Sequence, residues 1–233
     1  MARQDVDEML RTIEAECRYT RGITGLAAIR PQVLEAMGQV PREQFVPNFY
    51  KSMAYDNMPL PIGHGQTISQ PFIVALMTDL LCPDKDDVIL EVGAGSGYQA
   101  AVLSLLVNKV YSLEIVPALA GVAAERLRRL GFLNVEVRRG DGYGGWQEHA
   151  PFDGIIVTAA AAHVPPPLTE QLKPGGRLVI PIGLPAMTQE LMVLEKDKKG
   201  KITGRDVLSV AFVPLTGSSA GIPLTDDDLV GSD

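Results

Sequence analysis

Apolar positions fall in two rhythms along this chain. Residues 88–92, 109–115, 134–138, 152–158 and 177–182 are short runs rich in apolar and β-branched residues, which predicts strands. Between them, residues 98–107, 117–130 and 167–172 carry apolar residues at helical spacing, the last stopped by Lys173-Pro174-Gly175-Gly176, a breaker and tight turn. This alternation predicts an α/β architecture in which helices cover a mostly parallel sheet. Two further runs, 191–195 and 207–213, flank a charged, glycine-containing connection at 196–204. They predict an antiparallel edge and bring the sheet to about seven strands.

Ahead of the sheet, residues 6–17 and 31–37 have helical spacing, and residues 72–81 form an apolar helical run. Residues 55–69 are rich in Gly and Pro and predict a long irregular loop, which inside a compact domain is usually functional. The tail at 218–233, with Asp226-Asp227-Asp228, has little to bury and is expected to be disordered. At 233 residues and 46% hydrophobic content, a single compact domain is expected. Residues 1–80 would supply the N-terminal helices and the loop, 81–185 the α/β core, 186–217 the edge strands and 218–233 the tail.

The first predicted strand runs straight into Gly93-Ala94-Gly95-Ser96-Gly97 and then into a helix. Ligands of open α/β sheets bind at such carboxyl ends, where missing Cβ atoms let the backbone approach closely and the helix offers unpaired N–H groups. Dinucleotide enzymes favour Gly-x-Gly-x-x-Gly, but Tyr98 stands where their third glycine belongs. The pattern here is Glu-x-Gly-x-Gly-x-Gly, which favours S-adenosylmethionine, a cofactor without phosphates. The acid Glu91 at the strand end suits its sulfonium and amino-acid portion. Glu114, at the end of the second strand, is placed to accept both ribose hydroxyls, and Asp141 in Gly140-Asp141-Gly142 to reach the adenine amine. Each feature alone is also an ordinary strand end or turn. Their convergence at the ends of three successive strands carries the reading.

A formal net charge of −7 argues against broad attachment to nucleic acid. The densest basic stretch, Arg126-Leu127-Arg128-Arg129, falls on a predicted helix and reads as its solvated face. Cys17 and Cys82 have neither disulfide nor metal spacing, the first residues lack a signal-peptide core, and no window is long and apolar enough to span a membrane. A cytoplasmic monomer, free of membrane, is expected.

The most distinctive stretch is Pro59-Leu60-Pro61-Ile62-Gly63-His64-Gly65-Gln66-Thr67-Ile68-Ser69-Gln70-Pro71. It resembles the protein-L-isoaspartate O-methyltransferase family. The resemblance continues through Val40-Pro41-Arg42-Glu43-Gln44-Phe45-Val46-Pro47, Ala54-Tyr55-Asp56-Asn57, the glycine turn, Gly140-Asp141-Gly142, residues 152–160, Leu172-Lys173-Pro174-Gly175-Gly176 and Phe212-Val213-Pro214-Leu215, covering roughly residues 33–216. It implies a Rossmann-like class I S-adenosylmethionine methyltransferase sheet whose final two strands are exchanged in order relative to other methyltransferases. It further implies methyl transfer to the free carboxylate of L-isoaspartyl residues in damaged proteins, with S-adenosylhomocysteine as product and repair proceeding through a succinimide.

By the same resemblance Ser69 is the active-site serine, and the cofactor contacts are Glu91, Gly93, Ala94, Gly95, Ser96, Gly97, Glu114, Asp141, Gly142 and Thr158. The substrate side comprises Ile62, His64, Thr67, Ser69, Val213 and Pro214, the last two on an edge strand able to bind an extended peptide. Chemistry supports this independently, because a carboxylate is already ionised at neutral pH and attacks a methyl group without a base. His64, His149 and His163 form no triad or metal spacing, and no metal is expected. Ser69 also stands where a helix N-cap belongs, before Gln70-Pro71, and His64 reads equally as an exposed loop residue.

Three other readings compete. A methyltransferase for nucleic-acid bases would carry an Asn-Pro-Pro-Tyr or Asp-Pro-Pro-Tyr box where Thr158-Ala159-Ala160-Ala161 stands. A non-enzymatic binding module would bind the cofactor without turnover, and a nicotinamide oxidoreductase would bind NAD.

Overall fold

A computed structural model describes residues 2–184 and 187–217. The expected tail at 218–233 lies outside the described residues. Nine strands and six α-helices are described, the strands forming a two-stranded hairpin and a seven-stranded sheet. The hairpin pairs β1 (Leu60–Gly63) with β2 (Gln66–Ile68). The sheet contains β3 (Val88–Val92), β4 (Lys109–Glu114), β5 (Val135–Arg139), β6 (Phe152–Val157), β7 (Leu172–Ile182), β8 (Gln189–Lys196) and β9 (Ile202–Val210).

Their order is β5-β4-β3-β6-β7-β8-β9. The first five are parallel and the last two antiparallel, as the residue pattern predicts. The chain order reverses at β3, so the carboxyl ends of β3, β4 and β6 open onto the crevice where α/β sheets bind ligands. The final two strands add to the edge in chain order, as the resemblance implies.

Both faces of the sheet are apolar. Ile89, Ile156 and Val179 point into a core shared with α1 (Ala2–Thr24), α2 (Pro31–Gln39), α3 (Pro71–Leu81) and α4 (Tyr98–Ser104). Leu90, Val157, Leu178 and Ile180 point the other way, onto Trp146 and onto Leu168 of α6 (Pro166–Glu170). Strand alternation under apolar cover on both sides is why these strands read as nearly continuous hydrophobic runs. The remaining helix, α5 (Pro117–Arg129), packs its Leu119, Ala123 and Leu127 inward.

Three local expectations change. The irregular loop at 55–69 contains the β1–β2 hairpin, whose turn is His64-Gly65. The tight turn at Lys173 to Gly176 lies within β7, absorbed by a register shift between its pairings Leu172↔Phe152 and Arg177↔Gly154. The last strand ends at Val210, and Val213–Pro214 leaves the sheet ladder. Ala160 donates to the Val213 carbonyl at 2.8 Å and accepts from the Leu215 N–H at 2.8 Å, so this segment crosses the end of β6. Proline has no N–H to donate into a ladder, which fits its departure from the edge.

Candidate active site

Beyond the carboxyl ends of β3, β4 and β6 lies a cleft of about 850 Å³, its open mouth included. The glycine turn forms its base. Gly93 adopts φ 98°, and a Cβ there would come within 2.4 Å of the Thr158 hydroxyl oxygen. That hydroxyl donates to the Gly93 carbonyl at 2.6 Å, so the end of β6 fixes the first bend of the turn. Gly93, Ala94, Gly95, Ser96, Gly142 and Thr158 line the cleft as expected. Gly97 does not: its missing side chain leaves room for Leu127 of α5, 3.2 Å from where a Cβ would sit.

Glu114 lines the cleft at the end of β4. Its Oε2 accepts from the Gly95 N–H at 2.7 Å and Oε1 from the Val116 N–H at 2.9 Å. Burial holds its carboxyl above the usual carboxylate range, against the lowering effect of those N–H groups. Each oxygen retains acceptor capacity toward the cleft. Among the described residues no Lys, Arg or His lines this space, and Glu114 is its one charged lining residue. Such a donor set does not suit a pyrophosphate. It does fit a cofactor carrying a sulfonium and a ribose.

Two expected cofactor residues are placed differently. Glu91 shares strand parity with Ile89, so it turns under the helical layer and does not line the cleft. Its carboxyl is wholly buried and accepts from the Ser112 hydroxyl, and burial pushes its pKa up to about 8. From that position the side chain braces β3 against β4 through Ser112 and lies outside the cleft lining. Asp141 caps a short 3-10 turn, accepting from the Tyr143 N–H at 3.0 Å, while its neighbours Gly140 and Gly142 do the lining.

A second cavity adjoins the first, lined by parts of α1, α3, β9 and the segment after it. Thr67, Ser69, Thr158 and Val213 border both, and Pro214 borders the first. Ile62 reaches over the glycine turn, its Cδ1 3.5 Å from where a Cβ on Gly95 would stand. His64, at φ 52° in the hairpin turn, lines neither cavity.

Ser69 is not the N-cap of α3. That position belongs to Gln70, and the Phe72 N–H is taken by the Asn57 side chain, whose Oδ1 accepts at 3.0 Å. Among the described residues the Ser69 hydroxyl has no hydrogen-bond partner. Its carbonyl is held by the buried Arg42, whose Nη2 donates at 2.7 Å. Hence the hydroxyl is available at the shared wall, beside the positive end of α3.

Four supporting residues escape sequence reasoning. Asn57 and Arg42 act on the Ser69 loop from outside it. Arg126, expected on a solvated face, donates to the Ser96 carbonyl at 2.7 Å and steadies the turn. Gln189 takes the Phe212 N–H at its Oε1 (2.6 Å) and donates from Nε2 to the Phe212 carbonyl (3.0 Å), fixing the segment that precedes Val213. Only the recurrence of Arg42 and Asn57 in motifs gave any signal.

No group of three or more His, Cys, Asp or Glu able to hold a metal exists among the described residues. No described helix is long and apolar enough to cross a membrane.

Comparison with known proteins converges on one family. The Protein-L-isoaspartate(D-aspartate) O-methyltransferase (PCMT) family model matches residues 24–220. Protein-L-isoaspartate O-methyltransferase 2 of Syntrophobacter fumaroxidans is 60% identical over 90% of this chain and 85% of its own. The protein of the same name from Polaromonas sp. is 56% identical over 90% and 99%. Among solved structures, a protein-L-isoaspartate O-methyltransferase superposes with TM-score 0.80 at 29% identity, over 91% of this chain and 66% of that one. A Plasmodium falciparum protein of the same description, in complex with S-adenosyl-L-homocysteine, superposes with TM-score 0.72 at 27% identity, over 88% and 97%. With Ser69 and the glycine turn facing one cleft, and with matches running through nearly all of the described residues, this chain belongs to the protein-L-isoaspartate(D-aspartate) O-methyltransferase family.

Proposed function

We propose that this chain methylates the free carboxylate of L-isoaspartyl residues, with the cofactor in the cleft over the glycine turn and the substrate in the adjoining cavity. The observation that carries this reading is the wall common to both spaces, where Ser69 and Thr158 stand. When bound, S-adenosylmethionine supplies a methyl group on a positively charged sulfur and leaves as S-adenosylhomocysteine.

The chain's own residues provide position and a fitted electrostatic environment. Glu114 accepts hydrogen bonds from the ribose hydroxyls, and Gly93 to Ser96 cradle the amino-acid portion. The Ser69 hydroxyl donates to the isoaspartyl carboxylate, and the positive end of α3 and the Arg42 guanidinium favour the anion there. The carboxylate is ionised before it arrives, so no general base is needed. Among the described residues neither lining contains His or Lys, which agrees with that. Rate enhancement comes from in-line placement of the carboxylate against the methyl group. Methoxide is a far better leaving group than the oxide of a carboxylate, so the backbone nitrogen of the following residue attacks the ester carbonyl and expels methanol, giving a succinimide that water can reopen to aspartate.

The enzyme works as a cytoplasmic monomer in this reading. Methyl-labelled cofactor offered with matched peptides containing isoaspartate, aspartate or asparagine tests it. Label is expected only in the first; equal labelling of all three, or none, overturns it.

A further inference from the structure

The second cavity reaches beyond Ser69 to a wall made by α1, and almost all of that helix precedes the segment matched by the family. Glu16 and Thr20, one turn apart on α1, face Leu208 to Phe212 across the cavity, with Phe72 and Ile73 between them. Apart from the Gln70 amide the rest of the lining is apolar or hydroxylic, and Glu16 is its one charged side chain among the described residues.

The Glu16 carboxylate is half-buried and has neither an ion pair nor a hydrogen-bond partner among the described residues. Thr20 does not engage it, since the Thr20 hydroxyl donates to the Glu16 backbone carbonyl at 2.8 Å. Ser209 also lines the cavity, and its hydroxyl donates to a second acid, Glu190, at 2.7 Å. Residues 208–213 therefore bring no cation to the lining among the described residues.

We propose that Glu16 forms a subsite for a basic side chain, Lys or Arg, carried by the substrate close to its isoaspartyl residue. This rests on the reading of Ser69 as the carboxylate site. The apolar walls suit the long methylene stem of such a side chain, leaving its charged head to reach Glu16. Because the pair is partly exposed, its effect is modest and salt-sensitive. It biases selection among damaged sites and does not decide whether chemistry occurs. Charge complementarity of this kind governs selection more than absolute affinity.

The test is a peptide series in which lysine, or its uncharged isostere norleucine, occupies in turn each of the three positions on either side of isoaspartate. The full chain and its Glu16→Gln and Glu16→Lys variants are compared by the lysine-to-norleucine ratio of kcat/KM. In the unaltered enzyme that ratio should exceed unity by about three- to fivefold at one or more positions at low salt. Glu16→Gln should bring it to unity, and Glu16→Lys should invert it. Matching thermal midpoints and S-adenosylhomocysteine affinities establish that the variants are folded. A ratio unchanged by Glu16→Gln at every position overturns the subsite. Failure of the unaltered enzyme to methylate any isoaspartyl peptide instead overturns the reading of Ser69 on which it rests.

Discussion

Arg42 holds Ser69 by its main chain. The guanidinium is 0% exposed, donates from Nη2 to the Ser69 carbonyl at 2.7 Å and from Nε to the Ala54 carbonyl at 2.7 Å, and lies over the Tyr98 ring at 4.6 Å. One residue thus ties the loop that presents the substrate hydroxyl to the helix that follows the cofactor turn. Burying a guanidinium without a carboxylate partner is costly, and burial accordingly lowers its pKa. Such a group is retained for what it positions.

Replacing Arg42 with Met keeps the stem and removes both donors. Turnover should fall by about 100-fold, the scale expected when reacting groups shift by about an ångström. Combined with Ser69→Ala, the losses should not multiply, because Arg42 acts through Ser69. Fully multiplicative losses in the double variant, measured on enzyme shown to be folded, would mean that Arg42 merely supports the fold.

Ser69→Ala removes a hydroxyl that the loop presents at the shared wall without disturbing the cap of α3, which comes from Asn57. Methyl transfer to an isoaspartyl peptide should slow by about 100-fold, as for loss of one donor to a reacting oxygen. Calorimetric affinity for S-adenosylhomocysteine should stay close to that of the unaltered enzyme. Unchanged turnover would remove Ser69 from the reaction.

Asn57→Ala tests the same arrangement from the other side. Losing the Asn57 acceptor leaves the Phe72 N–H unpaired at a helix start, which costs about 1 kcal/mol. For a chain of this size the thermal midpoint should drop by about 2–4 °C. A midpoint indistinguishable from the parent would show that another group takes over the cap.

The contrast between Ser69 and Asn57 shows where the sequence stops informing. Strands β3, β4 and β6 are legible because both sheet faces are covered, so apolar residues dominate their runs. The glycine spacing was legible because a sharp turn leaves few alternatives. Short strands β1 and β2 were hidden by the Gly and Pro that shape their hairpin. A serine before Gln70-Pro71 satisfies every local rule for an N-cap, yet a side chain fifteen positions away in the fold's sequence supplies the bond instead. Arg126 likewise looked like surface, since only the tertiary approach of α5 to the turn gives it Ser96 as a partner. Glu91 is a different case. An acid at a strand end points to the ligand from its position along the strand, but which face it takes is set by the tertiary fold, and Glu91 shares the face of Ile89 under the helices.

Glu91 provides a test in pH. Burial raises its folded-state pKa to about 8 from an ordinary value of 4.5, outweighing the lowering effect of the Ser112 hydroxyl. Below the ordinary value the carboxyl is protonated whether the chain is folded or not, and the neutral acid imposes no pH-dependent penalty. Between that value and about 8 the unfolded chain ionises while the folded chain keeps its proton, so unfolding releases a proton and stability falls as pH rises. Above about 8 both states are ionised and the loss levels off. Glu91→Gln cannot ionise and should lack this component. The difference in unfolding free energy between the variant and the parent should therefore shift toward the variant by on the order of a few kcal/mol from pH 5 to pH 8. Denaturant melts at the two pH values measure it. Because Glu91 does not line the cleft, S-adenosylhomocysteine should bind the variant nearly as well as the parent. Parallel stability profiles for the two proteins would mean that burial does not keep Glu91 protonated in the folded state.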